Sequence, residues 1–575
     1  MVDEASQPQT LSTASIDPAR WTTSTGMTAL LLALISLVAA SFRLHALTAK
    51  NFWFDECVSA GIAKLSWPQF LLALWNQEDN MAFYYFLLHF WMRMGGSVAF
   101  IRGFSVLISV ATLPLVYILG KRLFDRRTGL VAAWLLAINA YHIYYAQEAR
   151  SYALVVLLTV LSSLIFVRNL QEPESAKWGA YTAVSVLLIY SHFFGGLVVV
   201  AHGVFLWYLK REDVTWRPFR KSAIRSAYLV SPVVVFLAGT GYPILWIKRP
   251  RLETIWNFLL AYTGNGGLRL FALYLIPVLL AGFGAWKAWH ANGRKLDNWS
   301  RAFVLVWLIF PILAVLVVSL ALPLFVNRYL IPCLPALVLI AAAGITSIRP
   351  KWLGLILCAA ISAASFTGIA SYYDRDFDTN RDDWLGATSF VLDRAQPHDG
   401  VFFFHRNGHV PFEFYRSQRE FPQPWPEALQ GQGSSEVTGH DFKYRGIDRE
   451  LAASKPAGDR VWLVLNYDAD FFGNPHHSRD TARAMYGHGR HLIESQDFGV
   501  ITVLLYARDE TGGGTSARPV PQSPMSPQRA ALKAPLLHVV KPCEEAFHSC
   551  SGGNSCAVCG RPLCHCVSDS ICEAR

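Results

Sequence analysis

Apolar runs of about 20 residues recur along this chain, and no other feature narrows its fold as much. A helix rises about 1.5 Å per residue, so such a run crosses the roughly 30 Å hydrocarbon core of a bilayer. Runs near 27–47, 99–120, 129–146, 152–168, 176–192, 195–209, 226–246, 267–286, 301–323, 329–347 and 352–371 read as eleven spans. Only 16% of the residues are charged, against about 25% in soluble proteins. The charges that remain lie mostly before residue 27, after residue 373, or in short clusters between the runs. The expected fold is therefore a polytopic α-helical membrane protein with a small C-terminal α/β domain. The N-terminus does not read as a cleaved signal peptide, because no basic segment leads the first run.

Charge orients the spans. Basic clusters at 121–127, 210–225, 287–295 and 349–351 fall on one side only if 81–95 (MAFYYFLLHFWMRMG) does not cross. That segment reads as an interfacial amphipathic helix, with Phe83, Tyr84, Tyr85, Phe86 and Trp91 as an aromatic belt. Positive-inside orientation then puts the N-terminus in the cytoplasm and the C-terminal domain outside. The net charge of +10 is topological and does not point to nucleic acid. Four polar features then gather at the outer face: Asp55–Glu56 in the 48–98 loop, Glu148 and Arg150 in AQEARSY, His192, and Arg328–Tyr329 in VNRYL. Lys248, Arg249 and Arg251 form the one outward basic triplet.

Each feature admits a bland reading beside a chemical one. Asp55 and Glu56 fit a solvated acidic turn. Glu148 and Arg150 fit an interfacial ion pair that caps a span, and His192 fits a structural hydrogen-bonder. Arg328 and the basic triplet fit cations snorkelling to headgroups. On the chemical side, a guanidinium holds phosphate oxygens in a bidentate fork, which suits Arg150. There is no HExxH, no repeated DxD and no Walker-type glycine loop, so no metal set or nucleotide site is legible in the membrane part.

The ordered set of motifs is more specific than any one of them. NFWFDECVSA resembles the acidic motif of the glycosyltransferase-C superfamily, and in particular the bacterial protein O-mannosyltransferases and the aminoarabinose transferases of lipid A. AFYYFLLHFW, the segment from IRGFSVL to QEARSYAL, YSHFFG and NRYLIPCLPAL follow in the same order, over roughly 27–373. One departure is that Met81 and Ala82 stand where that family often has two prolines. The resemblance implies direct, inverting transfer of a sugar from a polyprenyl-phosphate donor to a lipid, polysaccharide or protein acceptor. It implies Asp55 as general base, with Glu56 orienting the acceptor, tuning Asp55 or helping to bind a metal. It also implies Arg328 and Tyr329, with Arg150, at the donor phosphate, and Glu148 and His192 orienting donor or acceptor. The resemblance settles no cofactor, and the acidic pair leaves room for a divalent cation. The expected setting is the inner membrane, among membrane lipids.

The domains expected are a cytoplasmic tail at 1–26, the glycosyltransferase-C type membrane domain at 27–373, an extracytoplasmic α/β domain at 374–510, and a tail at 511–575. In the α/β domain, DWLGATSFVLDRA and RDTARAMYG read as helices, and GVFFFH, RVWLVLNY and FGVITVLLYAR as strands. The histidines of NPHHS and GHGRH fall in apparent loops. This domain carries no catalytic set and is expected to cover the site or help choose the acceptor. The tail, a Gly/Pro/Ser-rich linker followed by seven of the ten cysteines, is expected to be disordered; the CxxC and CxC of CAVCGRPLCHC admit a zinc knuckle or disulfides, but their spacing is too compressed for a standard zinc ribbon.

The rival reading is a transporter or flippase for lipid-linked saccharides. It predicts internal repeats and ionisable groups near mid-membrane, whereas here the ionisable groups cluster at span ends.

Overall fold

The computed structural model describes residues 25–76, 79–209, 213–239, 247–292, 299–374, 383–396, 399–403, 408–419, 459–466, 489–508, 564–568 and 571–574. The chain divides into two compact units, Met1–Asp509 and Glu510–Arg575.

The first unit opens with the apolar helix α1 (Thr25–Leu44), after which the loop to residue 97 folds into α2 (Phe54–Lys64), α3 (Trp67–Asn76) and α4 (Ala82–Trp91). At ten residues α4 is about 15 Å long, half the span of a bilayer core. Next comes α5 (Val98–Leu123), capped by Ser97, whose hydroxyl accepts the Phe100 amide. The KRLFDRR cluster is a helix-to-helix turn. Asp125 ends the connection by accepting the Thr128 amide at 2.7 Å, which starts α6 (Arg126–Ala137). Helix α6 bends by 62° into α7 (Ala140–Ala146), where the Asn139 side chain caps the new helix.

The bundle continues with α8 (Tyr152–Gln171), α9 (Trp178–Ser191), α10 (Gly196–Tyr208), α11 (Asp213–Leu229) and α12 (Ser231–Gly239). It closes with α13 (Leu252–Tyr262), α14 (Gly267–Asn292), α15 (Trp299–Ala321), α16 (Leu334–Ser347) and α17 (Lys351–Asp374). Helices α8 and α16 are the buried centre, apolar on every side, whereas α1, α14 and α17 leave most of their surface exposed. Polar side chains tie neighbours together inside the bundle. His202 of α10 contacts Ser163 of α8 at 3.2 Å and Tyr181 of α9 at 2.8 Å.

Among the described residues seven helices are long and apolar enough to cross a membrane, or eight if the bent α6–α7 pair counts as one span. That is fewer than the eleven expected. The runs at 176–192 and 195–209 end as helices of 14 and 13 residues, about 20 Å each. The run expected at 226–246 is broken at Val230, between α11 and α12.

Beyond α17 the chain forms α18 (Trp384–Arg394), β1 (Gly400–Phe403), α19 (His409–Arg416), β2 (Arg460–Asn466), β3 (Arg490–Phe498) and β4 (Ile501–Arg508). The sheet order is β1-β2-β4-β3, with β1 parallel to β2 and the other pairs antiparallel. Phe390 of α18 packs against Trp462 of β2 and Phe498 of β3. Strand β3 and helix α19 were not legible in the sequence: β3 is a polar edge strand, and His491 lies on it rather than in a loop. The expected helix RDTARAMYG lies outside the described residues, as do the NPHHS histidines. In the second unit, β5 (Cys564–Ser568) and β6 (Ile571–Ala574) form an antiparallel hairpin.

Candidate active site

Asp55 and Glu56 occupy the first turn of α2, where the positive end of the helix dipole favours carboxylates. Consecutive helical residues point about 100° apart, and the two carboxylates accordingly diverge. Glu56 turns inward and is fully buried. Arg102, near the start of α5, grips both of its oxygens, with Nε at 2.8 Å and Nη2 at 2.6 Å. The Ala149 amide donates to the same carboxylate at 2.8 Å. The remaining guanidinium donors reach the carbonyls of Leu47, Lys50 and Asn51. Glu56 is thus occupied by protein groups and anchors the loop.

Asp55 turns the other way and keeps 22% of its side chain exposed. Its carboxylate lies 3.6 Å from the Arg150 guanidinium. Arg150 Nη1 lies within donating distance of the Asp55 carbonyl, the Ser59 hydroxyl and the Tyr85 hydroxyl. Tyr84 and Tyr85 are therefore not part of an interfacial belt: both are fully buried, and Tyr85 helps seat Arg150.

The QEAR turn between α7 and α8 is stapled to its surroundings residue by residue. The Gln147 amide donates to the carbonyls of Arg43 and His45 and accepts from the Tyr372 hydroxyl at 2.7 Å. Ala149 holds Glu56, and Arg150 holds Asp55. Glu148 is buried between them. Burial, with the Glu56 carboxylate nearby, pushes the Glu148 carboxyl up to about 8, against the opposing pull of Arg328 and Arg150. Burial thus favours its neutral, protonated form.

Arg328 and Tyr329 sit on the 3₁₀ turn Asn327–Cys333 that leads into α16. The Arg328 guanidinium lies 5.9 Å from the Trp53 ring centre. The Tyr329 ring packs 4.8 Å from that of His192. His192 Nδ1 accepts the Phe194 amide at 3.3 Å, so in the neutral ring Nε2 carries the proton. Arg328 and Arg150 both act electrostatically on Glu148, and Arg328 on Asp55. The structure thus gathers Asp55, Glu148, Arg150, His192, Arg328 and Tyr329 into one cluster. Lys248, Arg249 and Arg251 are exposed and enter none of its described hydrogen bonds. Among the described residues no three His, Cys, Asp or Glu side chains stand close enough to hold a metal ion.

Three residues of this site escaped the sequence reading. Arg102, inside the quoted IRGFSVL segment, drew no reading of its own, and Tyr85 read as an interfacial aromatic. Tyr152, in the quoted AQEARSY motif, is wholly buried. Its ring lies 4.9 Å from that of Tyr145 and 6.2 Å from that of His192. Its hydroxyl has no hydrogen-bond partner among the described residues.

Residues 80–240, which contain the QEAR turn, Arg102 and His192, match the family described as dolichyl-phosphate-mannose-protein mannosyltransferase. The similarity of fold extends further: the chain is similar to ArnT from Cupriavidus metallidurans in the apo state, with a TM-score of 0.52 at 12% identity, over 84% of this chain and 98% of that one. The same protein bound to undecaprenyl phosphate aligns with a TM-score of 0.51 at 13% identity over the same shares. No curated protein sequence matches.

Proposed function

We propose that this chain is a membrane glycosyltransferase that moves a sugar from a polyprenyl-phosphate-linked donor to an acceptor at the outer face of the cytoplasmic membrane. The observation that carries this reading is the division of labour in DE: Glu56 is buried in an ion pair, while Asp55 stays accessible within a cluster that also holds Arg150 and Arg328. The mannosyltransferase match and the undecaprenyl phosphate bound by the ArnT structure supply the donor class.

In the proposed reaction an acceptor hydroxyl or amine attacks the anomeric carbon of the sugar. Asp55 takes the acceptor proton as the new bond forms. The bond from the anomeric carbon to the phosphate oxygen breaks, and the phosphate leaves on its lipid with the electron pair. Attack opposite the leaving group inverts the anomeric centre. Negative charge grows on the phosphate, and the guanidinium groups of Arg328 and Arg150 offset it in a site shielded from bulk water. His192 Nε2–H and the Tyr152 hydroxyl are further buried donors of the same cluster. Protonated Glu148 spares the phosphate a repulsive neighbour.

The test is incubation of membranes with a panel of labelled polyprenyl-phosphate sugars, followed by identification of the labelled product. Asp55→Asn is expected to lower transfer by about 100-fold or more while leaving donor-lipid binding intact. Transfer near the wild-type rate by that variant would refute the base assignment.

A further inference from the structure

Helix α2 is 11 residues long, and the Trp53 side chain at its N-terminus makes no capping bond. A helix of that length is marginal in isolation, so its tertiary contacts decide where its first turn, and therefore Asp55, sits. One set comes from the membrane domain through Arg102. The other comes from the sheet domain.

Helix α19 lies against α2. The Tyr415 hydroxyl donates to the Phe52 carbonyl at 3.0 Å, three residues before Asp55. The Phe414 ring stacks on the Phe52 ring, with centres 5.2 Å apart and planes 19° apart. Phe52 also carries the Arg102 guanidinium 4.9 Å from its ring centre. At the far end of α2, Lys64 lies 5.2 Å from the Phe414 ring centre. Asn51 donates to Asp383, the residue that caps α18. An unbroken chain of contacts therefore runs from the sheet domain through Phe52 and Arg102 to Glu56, and on to the Ala149 amide of the QEAR turn.

We infer that α19 is a positioning device for the transfer reaction: Phe414 and Tyr415 clamp Phe52 and so fix the first turn of α2 in the place where Asp55 works. The sheet domain then sets the rate of the chemical step rather than only covering the site or recruiting an acceptor. Neither residue touches the reacting atoms; both act through the backbone that carries Asp55. The inference rests on Asp55 being the base.

The test uses the full-length protein with Tyr415→Phe, Phe414→Ala and, as a control in the same domain, Arg419→Ala, which breaks only the exposed ion pair with Asp393. Two readouts are compared: hydrogen exchange at the amides of residues 52–58, and steady-state transfer. For Tyr415→Phe the expected result is faster exchange and a kcat lowered about fivefold, the worth of one buried hydrogen bond. Donor and acceptor KM should stay within about twofold, because ground-state binding is untouched. Phe414→Ala should do more, and Arg419→Ala should match wild type. If Phe414→Ala does not fold, Tyr415→Phe decides, since it keeps the ring. Unchanged exchange, or a raised acceptor KM at constant kcat, overturns the inference in favour of a recruitment surface. If wild-type protein transfers from no donor, the glycosyltransferase reading fails, and exchange still reports whether the clamp exists.

Discussion

Adjacent carboxylates serve two purposes here because a helix turns them apart. Glu56 meets Arg102 below α2, and Asp55 meets Arg150 beside it. Arg43 follows the same logic of burial with full satisfaction. It ends α1 wholly buried, with donors on the Leu136 and Ala137 carbonyls that close α6, on Ser109 and on His142. A cation at the negative end of a helix offsets its dipole, so Arg43 holds the bent α6–α7 joint that presents the QEAR turn. Glu148 gives a pH prediction at this scale. Its folded pKa of about 8 stands above the ordinary 4.5, so the folded chain binds the extra proton between those values. Its contribution to stability is complete below the ordinary value and is lost as pH rises through about 8. The thermal midpoint in detergent should fall across that window, and Glu148→Gln should remove that part of the fall. A wild-type midpoint rising over the same window would contradict the burial argument.

At the scale of elements, close approach of backbones sets the packing. A Cβ on Gly344 of α16 would collide with the Pro277 carbonyl of α14. Gly344→Ala should therefore push α16 off its neighbour at a cost of about 1–3 kcal/mol, read as a lowered thermal midpoint and a reduced folded yield. Transfer should suffer too, because α16 begins where the Arg328–Tyr329 turn ends. A midpoint equal to wild type would show that α14 can yield. Element identity was largely readable where a long run had one period: α5, α8, α15 and α17 follow their apolar stretches. It failed where the deciding contact was distant in sequence. Strand β3 looks polar and loop-like because only its pairing with β4 makes it a strand. Helix α4 looks interfacial, yet its Tyr84 and Tyr85 are buried by α5 and the QEAR turn.

Over the whole molecule, α5 measures the membrane. Arg102 and Arg122 are 20 residues apart on this one helix, about 30 Å along its axis. The first pairs with Glu56 in the site, and the second with Glu172 at 2.9 Å beside the basic turns. The site and the KRLFDRR turn therefore lie at opposite ends of α5, the arrangement the positive-inside rule requires if the site faces outward. In a background without the tail cysteines, Ala49→Cys should react with a membrane-impermeant maleimide in intact cells. Glu174→Cys should react only after permeabilisation. The reverse pattern would place the site in the cytoplasm.

Because hydrocarbon excludes backbone that is not helical, the sequence by itself determined that the chain is a polytopic helical membrane protein, though not how many helices are long enough to cross. It also singled out Asp55, Glu148, Arg150, His192, Arg328 and Tyr329, which the fold brings together. Only the tertiary structure decided which of them is buried and paired and which stays accessible. Asp55 and Glu56 are equal in chemistry and adjacent in the chain. What separates them is which side of one helix meets Arg102, a residue 46 positions away. The role of Phe52 is decided in the same way, by Tyr415, 363 positions away. Burial and pairing are properties of neighbours in space, and a linear pattern does not contain them.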